Sequence, residues 1–141
     1  MDVTRETTPS AALRAELTNK NGVIINDEEI FLFNHIHESM GINISYDPLT
    51  GEFTISEPGV YRIYWWLNVS GSLGVGGSAK ASIYVNDTLY SSSITPVTSG
   101  QFSDFSFLIV EEPVVFKLVN TTNGAIALAD FPIQGALVVY G

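Results

Sequence analysis

Apolar and polar residues alternate along most of the chain in short runs, and nearly every run is closed by Gly, Pro, Asn or Asp. A period of two marks half-buried strands, and only AALRAEL (11–17) offers anything close to a helical period. That segment reads as one helical turn or as a first strand, and the strand is favoured. Further strands are predicted at 23–25, 30–36, 41–46, 52–56, 60–69, 80–85, 89–97, 102–110, 114–119, 125–129 and 133–140. SGSLGVGGS (70–78) is rich enough in Gly and Ser to be a flexible surface loop. The connections are too short for crossover helices, so the pairing is antiparallel. The expected fold class is all-β, a two-sheet antiparallel jelly-roll or Greek-key sandwich of about ten strands. Residues 1–22 are read as a lead-in with the first strand and 23–141 as the head, within a single domain.

The strand VYRIYWWLNV (60–69) is apolar on two sides. Tyr61, Ile63, Trp65 and Leu67 share one face with Val69 and are assigned to the core; Val60, Arg62, Tyr64, Trp66 and Asn68 share the other. In FSDFSFLIV, Phe105, Phe107 and Ile109 share one face, and Phe105 and Phe107 are also assigned to the core. Phe102, Leu108 and Val110, diluted by Asp104 and Ser106, form the second. Large rings left in water forfeit several kcal/mol of burial free energy. A sheet with two apolar faces, in a chain with no helix to cover the second, is expected to be covered by another chain.

Six basic against fifteen acidic residues give a net charge of −9, which repels phosphate backbones and anionic lipid. Nucleic-acid binding and membrane insertion are therefore not expected. There is no cysteine, hence no disulfide framework and no thiolate metal site. The N-terminal segment lacks the basic flank and apolar run of a signal peptide, and no apolar run reaches the length of a membrane span.

Candidate chemistry is sparse. His35 and His37 lie on one face if their segment is a strand, and two imidazoles can begin a zinc or nickel site, but no third ligand can be assigned from the sequence, so a surface strand end is the favoured reading and no metal is expected. Asp27, Glu28 and Glu29 offer oxygens suited to calcium, although their spacing matches no calcium loop and a solvated turn explains them. There is no Gly-x-Ser-x-Gly elbow and no pair of carboxylates set in an apolar strand, so no catalytic residues, enzymatic activity or cofactor are expected. GSLGVGG (71–77) lacks phosphate-loop spacing. Sequons occur at Asn43, Asn68, Asn86 and Asn120.

YDPLTGEFTISEPGVYRIYWWLNV (46–69) resembles the signature of the complement one-q globular heads, which group with the tumour necrosis factor jelly rolls. SIYVND (82–87) resembles that family's strand before an Asn-Gly turn, and FPIQGALVVY (131–140) its closing strand. The chain departs from the complement pattern in having Glu112-Pro113 where a Gly-Asp turn is expected, in lacking the central cysteine, and in an extra residue in the closing strand. FTISEPGVYRI is nearer to the bacterial branch, the C-terminal heads of collagen-like glycoproteins of the spore outer coat, although the chain holds no Gly-x-y repeat. The resemblance implies a ten-stranded jelly roll forming a tight homotrimer, with Tyr64, Trp66, Phe102, Leu108 and Tyr140 at the interface. It implies a non-enzymatic trimerisation and adhesion head at an extracellular or spore surface, partnered by itself and by a host surface protein or glycan. Two other readings remain open: a trimeric receptor-binding tip of a phage fibre, and a monomeric carbohydrate-binding sandwich using Tyr64 and Trp66.

Overall fold

The computed structural model describes residues 10–96 and 99–141; positions 1–9 of the expected lead-in and 97–98 at the end of the strand expected over 89–97 lie outside the described residues. The described chain forms two antiparallel sheets packed face to face, a jelly-roll sandwich. The larger sheet holds seven strands: β1 (Ala12–Thr18), β2 (Ile24–Ile25), β3 (His35–Met40), β6 (Gly59–Ser72), β9 (Gly100–Val110), β11 (Ile126–Leu128) and β12 (Ile133–Tyr140). The smaller holds five: β4 (Ile44–Asp47), β5 (Glu52–Ile55), β7 (Ala79–Val85), β8 (Thr88–Thr95) and β10 (Val114–Asn120).

AALRAEL is a strand, and β1 runs between β12 and β3. The fourteen-residue β6 organises the larger sheet, pairing with β9 along one edge and with β12 and then β11 along the other. Turn chemistry fixes the hairpins. Asn86 and Asp87 both have positive φ (48° and 64°), which matches a two-residue turn to the twist of β7 and β8. In the DPLTG turn, Gly51 has φ 76°, its N–H donates to the Asp47 carbonyl at 2.8 Å, and a Cβ there would come within 2.5 Å of Ile30 Cγ2.

The core lies between the sheets. Phe53 stacks on Phe116 (ring centroids 4.8 Å apart, planes at 6°), and Trp65 meets Phe102 edge-on at 5.4 Å. Tyr61, Ile63, Trp65, Leu67 and Val69 all point into it.

The strand expected over 30–36 is not one. Ile30 makes a single bridge to Val119, the Phe31 N–H donates to Leu118 of the smaller sheet, and the Asn34 N–H donates to Glu16 of the larger. The segment crosses from one sheet to the other while inserting Phe31 and Phe33, both fully buried, into the core. A crossing segment that buries alternate residues has the same period as a strand, so the sequence pattern could not separate them. Regular pairing starts only at His35.

SGSLGVGGS also differs from its expectation. β6 continues to Ser72, and Val75–Gly77 form a short 3-10 turn. The turn is held by Gly74 N–H donating to Ser72 Oγ at 3.0 Å and by Leu73 N–H donating to the Ala125 carbonyl at 2.9 Å.

Candidate functional site

The outward face of the larger sheet gathers exposed large apolar residues from neighbouring strands, and cross-strand register builds it. On this face Val60 of β6 opposes Ile109 of β9, Arg62 opposes Phe107, Tyr64 opposes Phe105, and Trp66 opposes Ser103. On the other side of β6, Arg62, Tyr64 and Trp66 oppose Tyr140, Val138 and Ala136 of β12. Residues paired this way stand about 5 Å apart on one side of the sheet, so the rows fuse into an apolar face spanning three strands. Phe105 stands edge-on to Phe107 at 5.4 Å. The Arg62 guanidinium lies over Phe107 at 5.6 Å and Tyr140 at 6.0 Å, bridging two strands through the negative faces of two rings. Within the single chain, Tyr64 is 37% exposed, Phe105 48%, Phe107 53% and Ile109 71%, while Trp66 and Tyr140 are half-buried.

For β9 the structure reverses the sequence expectation. Phe105 and Phe107, assigned to the core, face outward; Phe102 and Leu108, assigned to the interface, are 6% and 5% exposed and belong to the core, as does Val110. The cause is the position of β9 at the edge of the sheet. Its inward residues pair with the core face of β6, Leu108 with Tyr61, Ser106 with Ile63, Asp104 with Trp65 and Phe102 with Leu67. At the open rim of a sandwich an inward Asp104 and Ser106 remain only half-buried, and inward polar groups on edge strands are a common defence against edge pairing. The more polar side could therefore turn inward. β9 also approaches β8 of the other sheet, where Ser93 Oγ donates to the Ser103 carbonyl at 2.8 Å and the Tyr90 hydroxyl donates to that of Phe107.

The other end of the same face, across β1 and β3, has a different character. Glu16 follows Trp66 and Ala136 in the same row and is 3% exposed. Its Oε2 accepts Arg14 Nε at 3.0 Å, and its Oε1 lies 3.8 Å from His37 Nδ1. His35 pairs directly with Glu16, and the register slips between Arg14 and Ala15, so that Glu38 faces Arg14, Ile36 faces Ala15, and His37 is the extra, unpaired residue of a bulge. The two histidines expected to share a strand face do come together, with ring centroids 6.1 Å apart. The third member, Glu16, is not legible in the sequence because its neighbours along the chain, Ala15 and Leu17, give no hint of which strand lies beside it.

Asp27, Glu28 and Glu29 do not converge. Asp27 Oδ1 accepts the Asn123 N–H of the distant 120–124 turn at 2.8 Å and Glu29 Oε1 accepts the Asn26 N–H at 2.7 Å, so Glu29 caps its own turn and Asp27 ties that turn to another. Of the sequon asparagines, Asn120 is fully buried and its amide donates to the Ile25, Asn26 and Gly124 carbonyls, which removes it as a glycan acceptor. The perturbed phenols belong to packing. Burial pushes Tyr46 up to about 12 against the opposing effect of its bond to the Phe33 carbonyl, and burial together with the Glu57 charge raises Tyr61. Among the described residues no helix is long and apolar enough to cross a membrane.

The sequence matches no protein-family profile and no curated protein. The fold does have solved counterparts. It superimposes on Eiger TNF from S. frugiperda with a TM-score of 0.65 at 13% identity, covering 95% of this chain and 94% of that one. It superimposes on the globular domain of zebrafish complement 1qA with a TM-score of 0.65 at 14% identity, covering 93% and 94%. A third likeness is to the PRD1 vertex protein, with a TM-score of 0.57 at 13% identity, covering 94% and 97%. At these identities the likeness is one of fold: the chain has the jelly-roll architecture of tumour necrosis factor and complement 1q domains.

Proposed function

We propose that this chain is the non-enzymatic head of a homotrimer, assembled through the outward face of the larger sheet. One observation carries the reading: Phe105, Phe107 and Ile109 stand exposed beside Val60 and Tyr64 on a single contiguous face. A face of this composition is the mark of a surface buried in an assembly, and obligate interfaces are large and apolar. Tyr64, Trp66 and Tyr140 keep the interface role that the resemblance implied, and Phe105 and Phe107 take the places of Phe102 and Leu108. The number three rests on the complement-type signature at 46–69, and a threefold rotation closes heterologous contacts into a ring.

Three heads held together multiply weak contacts to repetitive partners such as host surface proteins or glycans, which suits an adhesive role at an extracellular surface. FTISEPGVYRI supports placing the head on a collagen-like protein of the spore or cell surface. The fold shared with the PRD1 vertex protein favours a second reading, the tip of a viral fibre. Gly-x-y triplets in the gene upstream support the first, and a long non-collagenous fibrous segment the second.

Solution mass by light scattering on a size-exclusion column tests the assembly. The native chain should run at the mass of three, and Phe107→Glu, which places a charge in the interface without touching the core, should run at the mass of one. A native monomer overturns the trimer and turns attention to Tyr64 and Trp66 as a sugar platform, to be tested by a glycan screen.

A further inference from the structure

We infer that Glu16, His35 and His37 form a binding site for a borderline divalent transition ion such as zinc, stapling the edge strand β3 to β1. Their ligand atoms, one carboxylate oxygen and two imidazole nitrogens, all lie within 4.8 Å of one another. Tetrahedral zinc, with bonds of about 2.0–2.1 Å, sets its ligand atoms roughly 3.4 Å apart. The side chains therefore need to close by about an ångström around an ion of that kind. Both histidines are exposed and can make that adjustment by rotating about their side-chain bonds.

The carboxylate, by contrast, is already held. Glu16 is almost wholly buried, and Arg14 fixes it through Oε2, which leaves Oε1 turned toward His37 at 3.8 Å. This is the arrangement of a metal ligand with an outer partner: one oxygen oriented by a neighbouring donor, the other aimed at the ion. The Arg14 charge opposes cation binding, whereas burial of the carboxylate favours it, because a low-dielectric site strengthens attraction to a divalent ion. The bulge at His37 supplies the geometry. By inserting one residue opposite β1 it re-aims a side chain, and bulges recur where a strand builds a site.

The donor set selects the ion. Two imidazoles and one carboxylate suit zinc, nickel or copper, whereas calcium and magnesium require more oxygens. With three protein ligands, a fourth position is left for water or an external group. All three ligands come from one chain, so the inference does not depend on the trimer.

The test is zinc titration calorimetry on the untagged full chain, with thermal unfolding in parallel. One zinc per chain should bind, melting should move upward with zinc by mass action, and calcium should do neither. Since outer-partner changes alone cost roughly 10–100-fold in metal affinity, His35→Ala and His37→Ala should each cost more than that. Both positions are exposed, so the metal-free melting temperature of each variant should match the native one. Glu16→Gln keeps the shape but removes the anionic ligand and should also lose zinc. Absence of zinc binding by the native chain, or zinc affinity unchanged in the His35→Ala/His37→Ala double variant or in Glu16→Gln, overturns the site.

Discussion

The two sides of the larger sheet are both rich in large apolar groups, yet they have opposite fates. Inward, Tyr61, Ile63, Trp65 and Leu67 of β6 join Phe102, Leu108 and Val110 of β9 in a closed core. Outward, Tyr64, Phe105, Phe107 and Ile109 meet nothing from their own chain that buries them. The contrast teaches that composition does not tell a buried core from an exposed face. What differs is the neighbour, since the inward rings have a second sheet against them and the outward ones do not. The outward face is itself divided, with rings over β9, β6 and β12 giving way to Arg14, Glu16 and two histidines over β1 and β3. One end is proposed to take another protein chain and the other an ion.

The widest separation between the sides should come from matched truncations on β9. Phe102→Ala removes a ring packed edge-on to Trp65 and should lower the unfolding free energy by about 3–5 kcal/mol, read by denaturant unfolding followed through tryptophan fluorescence. Phe105→Ala, measured on chains kept monomeric by Phe107→Glu, should cost less than about 1 kcal/mol relative to that background. Equal losses at the two positions would erase the distinction between the core side and the outward side of β9.

A smaller effect is expected at Gly135, which brings β12 close to β6 on the inward side. A Cβ there would stand 2.8 Å from both Leu67 Cδ2 and the Trp66 carbonyl oxygen. Gly135→Ala should therefore destabilise by about 1–3 kcal/mol through overpacking, while leaving the solution mass the same as that of the native chain. A stable variant that changes mass would instead place Gly135 in control of the outward face.

The smallest effect belongs to Arg62, whose guanidinium lies over Phe107 and Tyr140 on the outward side. On the same monomeric background, Arg62→Met removes the charge and keeps an apolar stem. Glutamate at 107 has already replaced one ring, so the change should cost no more than about 0.5–1 kcal/mol in thermal or denaturant unfolding. A loss of several kcal/mol would mean that Arg62 organises the sheet and does more than decorate the face.

The sequence by itself determined the fold class, the antiparallel pairing and the turns, because alternation with period two and residues such as Asn86, Asp87 and Gly51 act locally. It also determined that β6 is apolar on both sides, since that is written in ten consecutive residues. What it left undetermined was anything that depends on a neighbour distant along the chain. Which side of β9 turns inward follows from its register with β6 and its place at the rim, where Asp104 and Ser106 are only half-buried. The path of Phe31 and Phe33 between the sheets follows from the smaller sheet lying opposite β1. The company of Glu16 follows from β3 pairing with β1 through a bulge. Each of these is a contact between segments brought together only by folding, and tertiary structure alone could decide it.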